Sequence, residues 1–515
     1  MTDFVAAPFG VRRLASAFGA TGDPVSGSAP AGDADVPPAR SPENCSKAEA
    51  SLRTPKSILR HDRIPLHHET DVLVMGGGSA GCSAALAARQ SGARSVTLIE
   101  RAGFPGGIST QALDTFYGFF TPGEEPRKVA GGIGDQVVDA LDAAGAIFLR
   151  PNTYGAGTGV NYNPERLKLV WDQLLDEAGV RTLLHTHLVD VEGSADAPEG
   201  VVVWSKAGFS RIRARVFIDA TGDADFCHRS GIACEIAGEN EPAQTMTTTF
   251  RMANVDLEAY ERAGGKRMLM EEMARAVEAG THPLPRKAGS IHRMNAPGCI
   301  STVAVRVAGF SGLDPEDLTA AEKEGRRQAF VYEDFIRDCV ASFTDSRIIG
   351  LSTGIGVRES RRLEGRYRLT REDCLGRAGF DDKVLICGAP IEDHRAAGGG
   401  GEETHWAYVP EGGVYDVPFR CFLPRENNHT LVCGRCFSAT HDAHASCRSM
   451  AQTMAMGHAC GAAAALSLAE DVTLPELSMP RLQDLLRRQG AVLEMPDTVA
   501  DTREDGWARN RSTQN

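Results

Sequence analysis

Apolar positions along the chain cluster in runs whose periods change from strand-like to helix-like and back. Val72-Leu-Val-Met75 is a short continuous apolar run and predicts a buried strand. Three glycines and an Ala-rich stretch, Ala84 to Ala88, follow it and predict a turn and a helix; Thr97-Leu98-Ile99 then predicts a second strand. Asp135 to Ala144 has Val137, Val138 and Leu141 on one helical face, and Pro164 to Ala178 has Leu167, Val170, Leu174 and Leu175. Thr182 to Val191 and Val201 to Trp204 read as strands, a hairpin-like pair separated by Gly193 to Gly200. From Gln244 to Phe422 the pattern is mixed, with one clear helix from Thr319 to Asp338; that is the natural place for a substrate domain. The longest apolar run, Ala459 to Ala469, is bounded by His458 and Glu470 and reads as a buried helix, short of the ~20 residues a membrane span needs. This alternation predicts an α/β protein.

The first turn carries chemistry. Gly76, Gly78 and Gly81 fit G-x-G-x-x-G: the first allows the turn, the second lets a pyrophosphate approach the backbone, and the third lets helix and strand pack closely. Ser79 and Ala80 open the helix, where free N–H groups and the dipole receive phosphates. Glu100, nineteen residues after Gly81, stands where a carboxylate accepts from ribose hydroxyls.

Composition adds exclusions. The chain has 515 residues, enough for two or three domain-sized units, with a net charge of −13 that argues against phosphate-backbone or anionic-membrane binding. No nucleic-acid partner is expected. Thirteen cysteines without a short-range framework suit reduced thiols and a cytoplasmic location. Cys433-Gly-Arg-Cys436 is a C-x-x-C that admits two readings. It could be a redox dithiol, or Cys433 could simply end the apolar strand Thr430-Leu-Val-Cys; the latter is favoured, since a catalytic dithiol normally opens a helix that lowers its thiol pKa. No Cys/His cluster completes a zinc site, so no metal is expected. Residues 1–62 are rich in Ala, Gly, Pro and Ser and predict a disordered tail. Arg12-Arg13 lacks the apolar stretch an export signal needs.

Several later segments resemble, in order, the FAD-dependent oxidoreductases related to fumarate reductase. Arg101-Ala-Gly-Phe-Pro-Gly106-Gly107-Ile-Ser109-Thr110 resembles the segment that covers the pyrophosphate and approaches the flavin. Phe217-Ile-Asp-Ala220-Thr221-Gly222-Asp223 resembles the returning strand with its A-T-G-D turn. Gly356-Val-Arg358-Glu359-Ser360-Arg361-Arg362 resembles the G-V-R-E-S-R-R segment. Gly434-Arg435-Cys436 to His441, His444 and Arg448, then Gly457 and Gly461, resembles the closing strand and flavin-facing helix. The matches run from about Ile64 to about Leu493. The resemblance implies a Rossmann-like FAD-binding domain of glutathione-reductase type with an inserted α+β substrate domain. The FAD domain is expected over 63–115, 165–242 and 420–470, the substrate domain over 116–164 and 243–419, and a C-terminal helix and tail over 471–515. It also implies that Leu188 and Val189 hold the adenine by backbone contacts.

The same resemblance, with the chemistry of the side chains, makes His441, His444, Arg448 and Arg358 the candidate catalytic residues. In a loop before the helix near Met450, an imidazole could take a proton while a hydride leaves to the flavin, and a guanidinium could hold a carboxylate or an enolate-like oxygen. His444 is equally open to a structural place. Arg358, Arg361 and Arg362 either line an anionic site or form a salt-bridged helix face with Glu359. Asp393-His394 resembles a D-x-H or D-H segment near the same pocket, and Gly398 to Gly401 is either a mobile lid or a flexible insertion. The expected function is hydride transfer between FAD and a small polar metabolite, a C–H or CH–OH donor or an activated double bond. The alternatives are a flavin thiol/disulfide oxidoreductase using Cys433 and Cys436, a non-redox FAD-binding protein, and a plain NAD-linked dehydrogenase. One glycine fingerprint provides no built-in nicotinamide domain, so the sequence leaves the electron acceptor open, as it does the oligomeric state.

Overall fold

The computed structural model describes residues 59–286, 289–394 and 404–510. Most of the expected tail, 1–58, and the whole of the Gly398–Gly401 run lie outside the described residues. The first apolar run is the inner part of a longer strand, β1 (Leu66–Met75), followed by α1 (Ser79–Gln90) and β2 (Val96–Ile99). β1 and β2 are parallel, with Val72 opposite Val96 and Met75 opposite Ile99. Successive side chains of β1 point to opposite faces, and both faces are covered: Val72 and Val74 join one core, Leu73 and Met75 another. Burial on both faces explains why the run reads as continuously apolar instead of alternating.

Helices α2 (Ile133–Ala143) and α3 (Pro164–Glu177) stand where the 3.6-residue pattern places them. Asn163 caps α3 by accepting from the Glu165 and Arg166 N–H groups, with Pro164 in the first turn. Between these helices β3 (Ile147–Arg150) and β4 (Gly159–Tyr162) pair antiparallel. The strand expected over Thr182–Val191 is two strands. β5 (Arg181–Leu183) pairs parallel with β2, and the chain then breaks at His185, whose φ is 52°. β6 (His187–Gly193), β7 (Pro198–Ser205) and the first half of β8 (Gly208–Asp219) form an antiparallel meander.

The middle of the chain builds a separate layer. β9 (Phe250–Ala253), β10 (Ile291–Arg293), β11 (Ile300–Thr302) and β12 (Arg347–Leu351) form an antiparallel sheet in the order β10-β11-β9-β12. With α4 (Gly265–Ala279) and α5 (Pro315–Cys339) it encloses its own core around Phe250, Met252, Leu269, Met273, Tyr332 and Phe335. α5 starts earlier than its apolar pattern because Asp314 caps it and Pro315 suits the first turn. Buried residues of 116–162 and 369–423 instead share the core of the parallel sheet.

Strands β13 (Ile391–His394) and β14 (Thr404–Ala407) pair antiparallel, Glu392 opposite Trp406 and His394 opposite Thr404. The chain then returns through β15 (Thr430–Val432), parallel to the end of β8, which completes a parallel order β5-β2-β1-β8-β15. The stretch after it, expected as a loop, is a short helix, α6 (His441–Cys447), because the Thr440 hydroxyl accepts from the Ala443 N–H and starts one. α7 (Met450–Glu470) is buried almost all round. A Cβ on Gly457 would lie 2.0 Å from the Ala80 carbonyl oxygen, and one on Gly461 2.1 Å from that of Ala84. Only glycine permits this approach, which brings the start of α1 and the start of α7 to one crevice. No helix among the described residues is long and apolar enough to cross a membrane.

Candidate functional site

The segments that follow β1, β8 and β15 open onto one cleft of about 1180 Å³. Ligands of open α/β sheets bind at this edge, beyond the carboxyl ends of the strands. The three fingerprint glycines separate by role. Gly76 has φ 96° and a Cβ there would meet the Ala220 carbonyl oxygen at 2.4 Å; one on Gly81 would meet the Gly76 oxygen at 1.8 Å. A Cβ on Gly78 would meet nothing within 4 Å. The room beside Gly78, at the N-terminus of α1, fits a pyrophosphate, and Gly76, Gly78, Ser79 and Ala80 all line it.

Glu100 is held with both oxygens engaged: Oε2 accepts from the Gly77 N–H at 2.6 Å and Oε1 from the Ala102 N–H at 2.7 Å. Glu100 lines the cleft, and a carboxylate has further lone pairs to which ribose hydroxyls can donate. Arg101, Gly107, Ala220, Thr221, Gly222, Asp223, Gly434 and Arg435 line the same space. Arg435 Nη2 donates to Asp223 Oδ1 at 2.9 Å, and the Ser360 hydroxyl donates to the same oxygen at 2.6 Å.

Other expected contacts lie elsewhere. The Ser109 hydroxyl donates to the Gly106 carbonyl at 2.7 Å and that of Thr110 to the Pro105 carbonyl at 2.8 Å. Both side chains are buried and brace the loop, as does Gly106, whose N–H donates to Gly77 at 2.7 Å. Gly81 packs against Gly76. Leu188 lies opposite Val203 within the meander, away from the cleft lining.

The inner end of the cleft is built by strand alternation. On β13 and β14 the residues Glu392, His394, Thr404 and Trp406 face the cleft, and Asp393 between them turns to the other side. Arg306 donates to the Thr245 hydroxyl at 3.2 Å and the Thr404 hydroxyl at 3.1 Å. Arg358 donates to the Thr245 carbonyl. Arg448 Nη2 donates to Gln244 Oε1 at 2.9 Å and to the Glu392 carbonyl at 3.3 Å. His394 stands 3.1 Å from a Glu392 carboxylate oxygen through Nε2 and 3.2 Å from the Thr404 hydroxyl through Nδ1. Burial and the Arg358 charge push His394 well below its usual range, so this imidazole is neutral. Burial opposes ionisation of Glu392, but a hydrogen bond from the neutral His394 and the Arg448 and Arg358 charges hold its carboxyl below the usual range.

His441 and His444 lie behind this wall. His441 is 2% exposed, with Nε2 3.0 Å from Asp393 Oδ1 and Nδ1 3.0 Å from Glu359 Oε1. Burial alone would lower its pKa, but the two carboxylates raise it to about 10. A charged imidazolium clamped on both sides cannot take a proton from a substrate, which corrects the expected role. His444 is fully buried, its Nε2 2.9 Å from the Arg435 carbonyl, and burial keeps it neutral. It braces the turn before α6. Glu359 also accepts from the Gln244 N–H at 2.6 Å and from Arg362 at 2.7 Å, so it ties His441 to the residue that orients Arg448.

The arginine-rich segment is no helix face: Arg361–Leu363 is a strand paired with Cys234–Ile236. Arg362 pairs with Glu359 and Glu235, Arg361 with Asp225, and of the three only Arg358 lines the cleft. Cys433 and Cys436 are both buried and free, outside the cleft lining. The Cys460 thiol and burial push the Cys433 thiol up, and burial pushes up that of Cys436, the reverse of a reactive dithiol. Asp393, His441 and Asp442 offer ligand atoms within 4.8 Å of one another. Both ring nitrogens of His441 are already engaged, and Asp442 pairs with Arg371 at 2.6 Å.

The sequence reading missed Arg306, Glu392 and Thr404. The strand alternation of Ile391-Glu-Asp-His394 was the one available signal, pairing Glu392 with His394 on one face.

The family described as FAD dependent oxidoreductase matches residues 71–486. No curated protein matches the chain. Among solved structures it is similar to a geranylgeranyl bacteriochlorophyll reductase-like protein from Thermoplasma acidophilum (12% identity, 86% of each chain, TM-score 0.41). It is similar to a p-nitrophenol 4-monooxygenase from Pseudomonas putida (11% identity, 82% of this chain and 84% of the other, TM-score 0.44). It is also similar to an anhydrotetracycline hydroxylase from Streptomyces rimosus (12% identity, 81% and 64%, TM-score 0.42).

Proposed function

This chain belongs to the FAD-dependent oxidoreductase family, and from that premise we propose that it moves a hydride between the flavin and a small carboxylate-bearing metabolite. The donor is a C–H or CH–OH carbon, or in the reverse sense the acceptor is an activated double bond. The observation that carries this reading is the group of three guanidinium ions, Arg306, Arg358 and Arg448, at the inner end of the cleft. Among the described residues that line the cleft, Glu392 is the carboxylate that stands with them. Arginine stays ionised and holds a carboxylate through two parallel N–H groups.

The glycine turn, Glu100, Arg101, Gly107, the 220–223 turn and Gly434-Arg435 are the groups we assign to the cofactor. They are joined in a glutathione-reductase-type domain related to that of fumarate reductase. The layer around β9 to β12 is the core of the inserted substrate domain. Bound FAD supplies the hydride acceptor or donor. Arg448, fixed by Gln244 and the Glu392 carbonyl, orients the carboxylate. The neutral His394 with Glu392 handles the proton, in the place first given to His441.

The test is to purify the protein with its flavin and screen hydroxy acids and other carboxylates for anaerobic bleaching. Reduced enzyme is screened in parallel with unsaturated acids for reoxidation. At least one carboxylate is expected to change the flavin spectrum at a saturable rate. If only uncharged compounds do so, the substrate class is wrong.

A further inference from the structure

The cleft has a second polar end that the proposed hydride transfer does not use. There Arg150 donates to the Tyr117 hydroxyl and lies over that ring at 5.6 Å from its centre. Lys266 lies over the Tyr154 ring at 5.0 Å and donates to its hydroxyl at 3.2 Å. His292, kept neutral by burial and the neighbouring Arg150 charge, is 4.0 Å from Asp114. The buried Asp114 carboxylate faces the Arg150 charge, which helps to hold its pKa down. Lys266 stands at this end on an exposed side chain that lines the cleft.

Strand β14 joins the two ends. Thr404 meets Arg306 and His394 at the inner end. Trp406, two residues on and on the same face, reaches Gly155, whose Cβ would lie 3.4 Å from the indole. Gly155 follows Tyr154, and its N–H donates to the Tyr408 hydroxyl at 2.9 Å. Two residues of strand span about 7 Å. Trp406 and Tyr408 stack at 6.3 Å with 16° between their planes, and with Tyr154 they form an exposed aromatic rim.

We propose that Arg150 and Lys266 form a distal anion subsite, and that the substrate is an elongated dianion lying along β14 with one charge at each end. The proposal rests on the inner arginines being a carboxylate site, as argued above. A spacing of about 7 Å or more excludes a short diacid and favours a longer or ring-bearing body, which the aromatic rim can cover. Two linked contacts reinforce one another only when the spacer matches the span.

The experiment is titration of the FAD-loaded protein with monocarboxylates and with diacids from succinate to suberate, including terephthalate. Flavin absorbance and melting temperature are the two readouts. Monocarboxylates are expected to bind weakly and succinate no better. Adipate, suberate or terephthalate is expected to bind at least about tenfold more tightly than the matching monoacid, about 1.4 kcal/mol. Lys266→Ala, at an exposed side chain, is expected to cut the diacid-to-monoacid ratio by about fivefold or more. If monoacids bind and no diacid binds more tightly, or if Lys266→Ala leaves the ratio unchanged, the distal subsite is overturned while the inner site stands. If no carboxylate shifts either readout, the inner site fails and the proposal fails with it.

Discussion

Gly78 and Gly81 lie in one turn, yet substitution is expected to fail at each for a different reason. Gly78 has an ordinary φ of −70° and open space where its Cβ would go, so Gly78→Leu is expected to fold. The side chain would then fill the place of the pyrophosphate, and the variant is expected to purify colourless with the melting temperature of wild-type apoprotein. Gly81→Val would drive its Cβ into the Gly76 carbonyl and is expected to lower the melting temperature itself. Arg448→Ala is expected to keep the flavin and slow its reduction by substrate by about 10²-fold or more, as losing one preorganised cationic donor does. Arg448→Lys is expected to rescue poorly, since an ammonium lacks the planar fork. His441 gives a pH signature instead. Its folded pKa of about 10 is above the ordinary histidine value, so its contribution to stability is complete below about pH 6.5. That contribution is lost as pH rises through about 10. The gap in urea stability between wild type and His441→Gln is therefore expected to be wide at pH 6 and to narrow steadily toward pH 10. A gap of constant size would mean that His441 is neutral in the folded protein.

Elements explain both what the sequence disclosed and what it withheld. The glycine turn and its flanking strand and helix were legible because each residue there answers to a local backbone demand. Short segments buried on every side were not. His441-Asp-Ala-His-Ala-Ser-Cys447 has no apolar stripe because nearly every position is buried, so its helix left no period in the sequence. The inner arginine group was legible only in part: Arg358 and Arg448 stand in segments that carry the resemblance, whereas Arg306 lies in a separate segment that only the tertiary fold joins to them. The α1–α7 contact was visible as Gly457 and Gly461 but not as a distance. Adding a β-branched side chain there would force the two helix backbones apart. Gly461→Val is expected to destabilise by about 3 kcal/mol, measured by urea unfolding. Gly457→Val acts at Ala80, beside the phosphate end of α1, and is expected to lose flavin as well as stability. Equal flavin retention in the two variants would separate this helix pair from the cofactor site.

The charge of the whole chain opposes that of its cleft. Net charge is −13, whereas among the described residues eight Arg and Lys line the cleft with four acidic ones. A cleft of one sign within a protein of the other focuses field at short range while repelling the same ions at long range. At about 0.1 M salt the Debye length is about 10 Å, so the cleft is expected to dominate once the ligand is near. Residues 1–59 carry six acidic and six basic side chains, so removing them leaves this balance unchanged. They precede both β1 and the matched family region, which begins at residue 71. A chain starting at Arg60 is therefore expected to purify yellow and melt within about 1–2 °C of full length, below the shift that losing about 1 kcal/mol would cause. Monocarboxylate binding is expected to weaken with added salt equally in the two proteins. Loss of flavin on truncation would make the N-terminal segment part of the cofactor domain. A changed salt dependence with flavin retained would instead show that the segment reaches the cleft and takes part in its electrostatics.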